Sequence, residues 1–361
     1  TNRLYSFINK RIKFIMAYTT INKSSLHMNT KLYTGNSSTQ SITGVGFQPD
    51  LTWIKQRGGT TNHVLYDAVR GAYWTIQSNT NSTQSADDGL TGWNSDGFNI
   101  GNVATTNLNT STYAGWNWKA GTSVSGNTSG SGTSKTYTGS VNTDSGFSII
   151  RYFGNGTLGH TIPHHLGVAP SMMIIKITDG DTSDWYVYHK DLGNTGILFL
   201  SNTNASSNSN AYWNSTTPTS SVFTVGDQTG NNSNNNTFVA YCFADVQGYS
   251  KFGSYIGNGN ADGTFVYTGF KPAFVMRKDT SATNEWTLID SKRSTYNQTN
   301  QTLVPNASDA EDGDFDIDIL SNGFKCRTAE SAHNGSGRTY IYMAFAEAPL
   351  VGDNNVPCTA R

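Results

Sequence analysis

YIGNGNADGTFVYTGFKPAFVMRKD, residues Tyr255 to Asp279, decides the fold, because the chain holds two further versions of it. A Tyr-x-Gly-Asn start stands at Tyr33, at Tyr152 and at Tyr255, and a proline follows each, at Pro49, Pro170 and Pro272. Six residues past each proline comes a lysine, Lys55, Lys176 or Lys278, closing an apolar run: LTWIK, SMMIIK, AFVMRK. Three copies with matching internal spacing mark a repeated structural unit. Other segments recur with them. Asp184-Trp185 lines up with Glu285-Trp286, whereas the first unit has the Trp-less HVLYD at residues 63–67. FVAYCFADV aligns with YIYMAFAEA and with YAGWNWKAG, and Phe98, Phe223 and Phe324 precede these closing segments.

Each unit is made of short β-branched and aromatic segments separated by Gly, Asn, Ser and Asp turns. Helical periodicity over a dozen residues is missing, so the pattern predicts an all-β chain of tandem β-sandwich modules, jelly-roll or lectin-like, in three related repeats. The closing segments, YAGWNWKA among them, alternate like strands with one buried face. Residues 1–30 read as a leader, with Met16 a natural start within it. Repeat 1 is expected at 31–121, a flexible Gly/Ser-rich linker at 122–135, repeat 2 at 136–248, repeat 3 at 249–349 and a tail at 350–361. The modules would follow one another in a row.

Composition narrows the class. Hydrophobic residues are 35% and charged residues 14%, both low for a cytosolic enzyme, yet aromatics reach 12%, too many for a disordered chain. Polar turns between aromatic strands suit an extracellular or virion protein. The net charge of −1 implies no basic surface for nucleic acid or anionic lipid, and no apolar run is long enough for a membrane helix. The cysteines, Cys242, Cys326 and Cys358, are widely spaced and lack partners at zinc-ligand spacing, so neither a disulfide framework nor a zinc site is expected.

Catalytic signatures are scarce: the chain has no Gly-x-Ser-x-Gly elbow, no phosphate-binding glycine loop and no His-Glu-x-x-His. His160, His164 and His165 cluster in sequence, but adjacent residues on a strand face opposite ways, which favours a turn with surface histidines. Asp179, Asp181 and Asp184 offer carboxylates that a calcium ion would take, against the commoner reading of a solvated hairpin tip. The run Asp309, Glu311, Asp312, Asp314, Asp316, Asp318 ends as DFDIDIL, a strand with one wet face. Asp67 and Asp290 recur with Arg70 and Arg293 three residues later, the spacing of a structural ion pair. For binding, Tyr73, Trp74, Trp93, Tyr212 and Trp213 flank Asn/Ser-rich loops, and exposed rings beside amides hold sugars by stacking on CH faces while amides bond hydroxyls. Core plugs or subunit contacts are the alternative for each.

Taken together, the Tyr-x-Gly-Asn starts, GVAPSMMIIKITDGDTSDWYVYHKDLG, SNAYWNSTTPTSSVFTVG, FVAYCFADVQGYSKFGSY and the ending YIYMAFAEAPL resemble tail-fibre or virion structural proteins of tailed bacteriophages, marine ones especially. The resemblance implies lectin-like β-sandwich repeats, no enzymatic activity, display on the virion tail outside the cell, and host attachment. Expected partners are host cell-surface glycan or receptor, other virion proteins, and further copies of the chain, a trimer being one arrangement. Two other functions compete: a polysaccharide depolymerase or glycosidase, which needs two carboxylates converging in a groove, and a purely structural or capsid-decoration protein.

Overall fold

The computed structural model describes residues 18–313, 316–351 and 357–359. The chain forms three β-sandwich modules, each with a large sheet and a three-stranded one. In the first, the large sheet runs Met28–Thr34, Thr112–Trp118, Leu51–Gln56, Val64–Asp67, Trp74–Gln77, Ser85–Ala86, and the small one Gln40–Thr43, Gly97–Ile100, Gly92–Asn94. The third keeps Ser250–Ile256, Thr339–Pro349, Phe270–Asp279 and Trp286–Asp290, with Phe265–Tyr267, Gly323–Cys326 and Ile317–Leu320 opposite. The second has the same centre, Phe147–Phe153, Thr237–Phe243, Met172–Ile177 and Tyr186–His189, faced by a small sheet that includes His160–Pro163 and Val222–Val225. All pairings between named strands are antiparallel, as hairpin-rich sandwiches require. The all-β expectation of three related modules holds.

Four segment expectations are corrected. Residues 122–135 are not a flexible linker. Thr122–Asn127 pairs with Thr136–Asn142 and extends the second module's large sheet, while Ser129–Gly130 joins its small sheet. Ser, Thr and Val at alternating positions form an edge strand as readily as a spacer, and composition does not separate the two. The leader reading fails over its described part: Ile21 is buried and Met28 opens the first strand, whereas residues 1–17 lie outside the described residues. The closing strands are buried on both faces. In Thr237–Phe243, Val239, Tyr241 and Phe243 enter one core and Phe238, Ala240 and Cys242 another. Finally, the modules do not lie in a row.

They close into a ring around a shared core. One hydrophobic cluster takes Trp53, Trp116 and Trp118 from the first module, Trp185, Tyr241 and Phe243 from the second, and Phe274, Trp286, Met343 and Phe345 from the third. Separate clusters fill the gap between the two sheets of each module. Backbone bonds make the cycle explicit. The N–H of Gln84 donates to the carbonyl of Thr178 at 3.2 Å, that of Ser206 to Thr280 at 3.0 Å, and that of Glu311 to Arg57 at 2.7 Å. Each acceptor stands two residues past the lysine of its unit. The first module thus joins the second, the second the third, and the third the first. Trp185 and Trp286 repeat the pattern, their indole N–H groups donating to Gln77 and Phe199 carbonyls of the preceding module, both at 2.8 Å. Buried His63 replaces that Trp in the first module and stacks on Trp116.

The recurring lysines lie inside this ring. Lys176 Nζ donates to the carbonyls of Asn81, in the first module, and Ser183; Lys278 Nζ to those of Thr203, in the second, and Asp279; Lys55 Nζ to those of Gln56 and Gly59. Burial pulls each ammonium down to about 8. The unfolded lysine titrates higher, so between pH 8 and about 10.4 the unfolded chain holds more protons and stability rises with pH. Unfolding free energy is therefore expected to increase by about 1–2 kcal/mol per lysine from pH 7.5 to 9.5, read as a rising thermal midpoint. Above that window the buried tyrosines, whose hydroxyls are pushed up by burial, reverse the slope. On the acid side, burial lowers His164 and His189 to about 4. Their contribution is complete above the unfolded value near 6.5 and is lost as pH falls toward 4. A midpoint that is flat across both windows would contradict these assignments.

Candidate functional site

What repeats is framework. The Tyr33, Tyr152 and Tyr255 hydroxyls donate to the carbonyls of Thr106, Asn231 and His333 at 2.8, 2.7 and 2.7 Å. Each ring stacks on a closing-strand ring, Tyr113, Phe238 or Tyr340, at 5.1, 5.2 and 5.0 Å, and meets Phe98, Phe223 or Phe324 edge-on. The glycine two residues later is required by a close approach: a Cβ on Gly35, Gly154 or Gly257 would stand 2.3, 2.3 or 2.4 Å from a backbone oxygen of the short helical turn preceding the closing strand or the residue beyond it.

An asparagine that sequence reading missed completes the device. Asn107, Asn232 and Asn334 are wholly buried, and their Oδ1 atoms accept the backbone N–H of Asn36, Asn155 and Asn258 at 2.8, 2.9 and 3.1 Å. The signal was present: each lies six residues before Tyr113, Phe238 or Tyr340.

The paired acids are framework too, as their spacing indicated. Asp67 accepts Arg70 Nε, and Asp290 accepts Arg293 Nε, both at 2.5 Å. Across the ring, Asp67 also receives the hydroxyl of Tyr241 at 2.8 Å and Asp290 the indole N–H of Trp116 at 2.9 Å. His189 holds the matching place in the second module, 3.4 Å from the Tyr342 carbonyl. Within the acidic run, Glu311 grips Arg57 by two bonds of 2.7 and 2.8 Å, clasping the third module to the first. Asp314 lies outside the described residues; the end of the run, Ile317–Leu320, alternates buried and half-buried as a strand with one wetter face.

The candidate metal and histidine groups do not converge. Asp179 accepts the Thr237 backbone N–H and hydroxyl, Asp184 accepts the Ser201 hydroxyl, and Asp181 is exposed. Among the described residues no group of three or more His, Cys, Asp or Glu side chains is arranged to hold a metal ion. His160 and His164 are buried rather than on the surface: His160 lies between Asn232 Oδ1 and Thr128 Oγ1, and His164 bonds the Thr219 carbonyl. His165 alone is partly exposed, 2.8 Å from the Tyr137 hydroxyl.

The candidate aromatics divide. Trp213 is a core plug, its indole bonded to the Gly196 carbonyl at 2.9 Å and its ring edge-on to Tyr188. Tyr212 is half-buried in a cluster with Tyr186 and Phe199. Trp93 packs against the first module's outer core. Tyr73 and Trp74 are 46% and 40% exposed, so they remain available to a ligand.

The third module also carries exposed rings that break the repeat. Phe265 and Tyr267, 45% and 52% exposed, take the strand positions held by Ser41 and Thr43 in the first module and by Thr161 and Pro163 in the second. Tyr267 lines a cleft of about 340 Å³ with Tyr18, Asp245, Gln247, Lys251 and Thr268, where the second module hands over to the third. Tyr18 donates its hydroxyl to the Gly269 carbonyl at 2.5 Å, and Asp245 is fixed by the Phe252 N–H at 2.7 Å and by Lys190. A second cleft, of about 600 Å³, separates Thr122–Asn127 and its neighbour strand from the first module and is walled by Ser, Thr and Gly with the Asp50 carboxylate. Asp50 is already engaged, by the Ala120 N–H at 2.9 Å and the Ser140 hydroxyl at 3.2 Å.

The family model described as a domain of unknown function (DUF7483) matches residues 23–349. The chain belongs to that family. No curated protein and no solved structure matches it. The DUF7483 match ends with the last residue of Thr339–Pro349, so the family unit is the closed ring of three modules rather than any one of them.

Proposed function

We propose that this DUF7483 chain is a non-enzymatic attachment protein of a bacteriophage tail that binds cell-surface glycan through the cleft at Tyr18 and Tyr267. The observation that carries the reading is the departure from the repeat. Between the sheets, the rings of Tyr33, Tyr152 and Tyr255 and of Phe98, Phe223 and Phe324 recur because packing demands them; Tyr267 stands where the other modules have Thr43 and Pro163, is exposed, and borders a concave site. A sugar ring would lay its CH face on Tyr267, with the Gln247 amide and Asp245 carboxylate within the same cleft to take hydroxyls. The sequence resemblance to tail-fibre proteins supplies the virion setting and the extracellular location. Each of the two clefts is lined by one carboxylate, Asp245 or Asp50, and both are tied to neighbouring donors, which favours binding over glycoside cleavage by an acid pair.

Glycan-array binding and adsorption to host cells are expected for the purified chain. Tyr267→Ala should weaken the positive glycan by about tenfold, the order of a stacking contact, while Trp74→Ala leaves it unchanged. Equal binding by the Tyr267 variant, or release of reducing ends from the glycan, would remove the proposal.

A further inference from the structure

The third module differs from its siblings inside as well as outside. Arg277 precedes the repeated lysine and points into the core between the two sheets; the corresponding residues are Ile54 and Ile175. Its neighbour Cys326 takes the position of Ile100 and Val225, and His333 that of Thr106 and Asn231. An isoleucine has become a guanidinium, and the facing branched side chain has shrunk to a cysteine.

Arg277 is 1% exposed. Arg70 and Arg293, the other buried arginines among the described residues, each hold an aspartate. Arg277 has no such partner. Its Nη1 contacts Cys326 Sγ at 3.7 Å, and its Nε and Nη2 have no hydrogen-bond acceptor. The thiol is directed elsewhere, toward the His333 carbonyl at 3.7 Å. Nε and Nη2 form the side-on fork of a guanidinium, the edge that Arg57 uses to grip both oxygens of Glu311. Burying such a charge uncompensated is among the most costly arrangements a core can hold.

We propose that the third module encloses a small monovalent anion, of halide size, seated on the Nε and Nη2 edge of Arg277 beside Cys326. The anion supplies the counter-charge that aspartate supplies to Arg70 and Arg293, and it binds the folded chain alone, so it stabilises by mass action. The site is independent of the glycan cleft.

Two measurements test it. Thermal midpoints of the full chain should be several degrees higher in sodium chloride than in sodium gluconate at matched ionic strength, and Arg277→Ile, the residue type of the other two modules, should abolish the difference. Crystals grown in sodium bromide should show an anomalous peak within hydrogen-bonding distance of Nε and Nη2. Absence of the bromide peak overturns the assignment whether or not the variant folds. So does a chloride response undiminished in Arg277→Ile, or a thiolate ultraviolet absorbance that disappears in Cys326→Ser, which would make the cysteine the counter-ion.

Discussion

Asp290→Ala is expected to lower the unfolding free energy by about 3–5 kcal/mol, the cost of breaking a buried ion pair from one side. The carboxylate is wholly buried. Burial pushes it upward, but the charge and hydrogen bond of Arg293 hold it below the usual carboxylate range. It also accepts the backbone N–H groups of Lys292 and Arg293 and, from the first module, the indole of Trp116. Without it, Arg293 keeps the Leu288 carbonyl, a 3.6 Å contact with Glu311 and the face of Trp116. The loss therefore falls on the seam between the third and first modules. Chemical denaturation measures it, and Asp67→Ala, which frees Tyr241 of the second module as well as Arg70, should behave alike. A change below about 1 kcal/mol in both would mean that the seams are held by apolar packing and that the repeated acids are dispensable.

Gly154→Ala is the second large effect. The added Cβ would lie 2.3 Å from the Ser233 carbonyl oxygen and 2.7 Å from the Asn232 carbonyl carbon, both backbone atoms that cannot rotate aside. The opening strand would have to separate from the turn that Asn232 secures, at a cost of about 3 kcal/mol. Gly35→Ala and Gly257→Ala should repeat the result, since their contacts are the same. Gly58→Ala is the control: no atom lies within 4 Å of its Cβ and its φ is not in the left-handed range, so the substitution should be neutral or mildly stabilising. Equal melting of the Gly154 and Gly58 variants would refute the close-approach account of the repeated motif.

These two sites also mark how far the sequence could be read. The Tyr-x-Gly-Asn starts, the lysines and the Asp–Arg pairs were visible because each is short-range or recurs at fixed spacing, and their structural roles follow from that recurrence. Ring closure was not visible. It rests on contacts such as Arg57 with Glu311 and Trp116 with Asp290, between residues far apart in the chain, and nothing in local pattern pairs them. The inward strands also hid their geometry: with cores on both faces, Thr237–Phe243 reads as one apolar run, which no period can orient. Residues 122–135 misled for the opposite reason, since their hydroxyl and glycine content suits a solvated edge strand as well as a spacer. Among the candidate aromatics, burial separates Trp213 from Trp74, and composition carries no burial. Tyr267 lies within the repeated stretch itself, where recurrence signals packing and does not distinguish an exposed ring from a buried one.

Joining three modules in one polypeptide has an evolutionary consequence. In a ring of three identical chains any substitution appears on every sector at once, and a change that harms one contact harms all. Here Phe265 and Tyr267 differ from their counterparts without altering the other two sectors. Covalent fusion therefore lets one rim diversify under selection while its siblings preserve the scaffold.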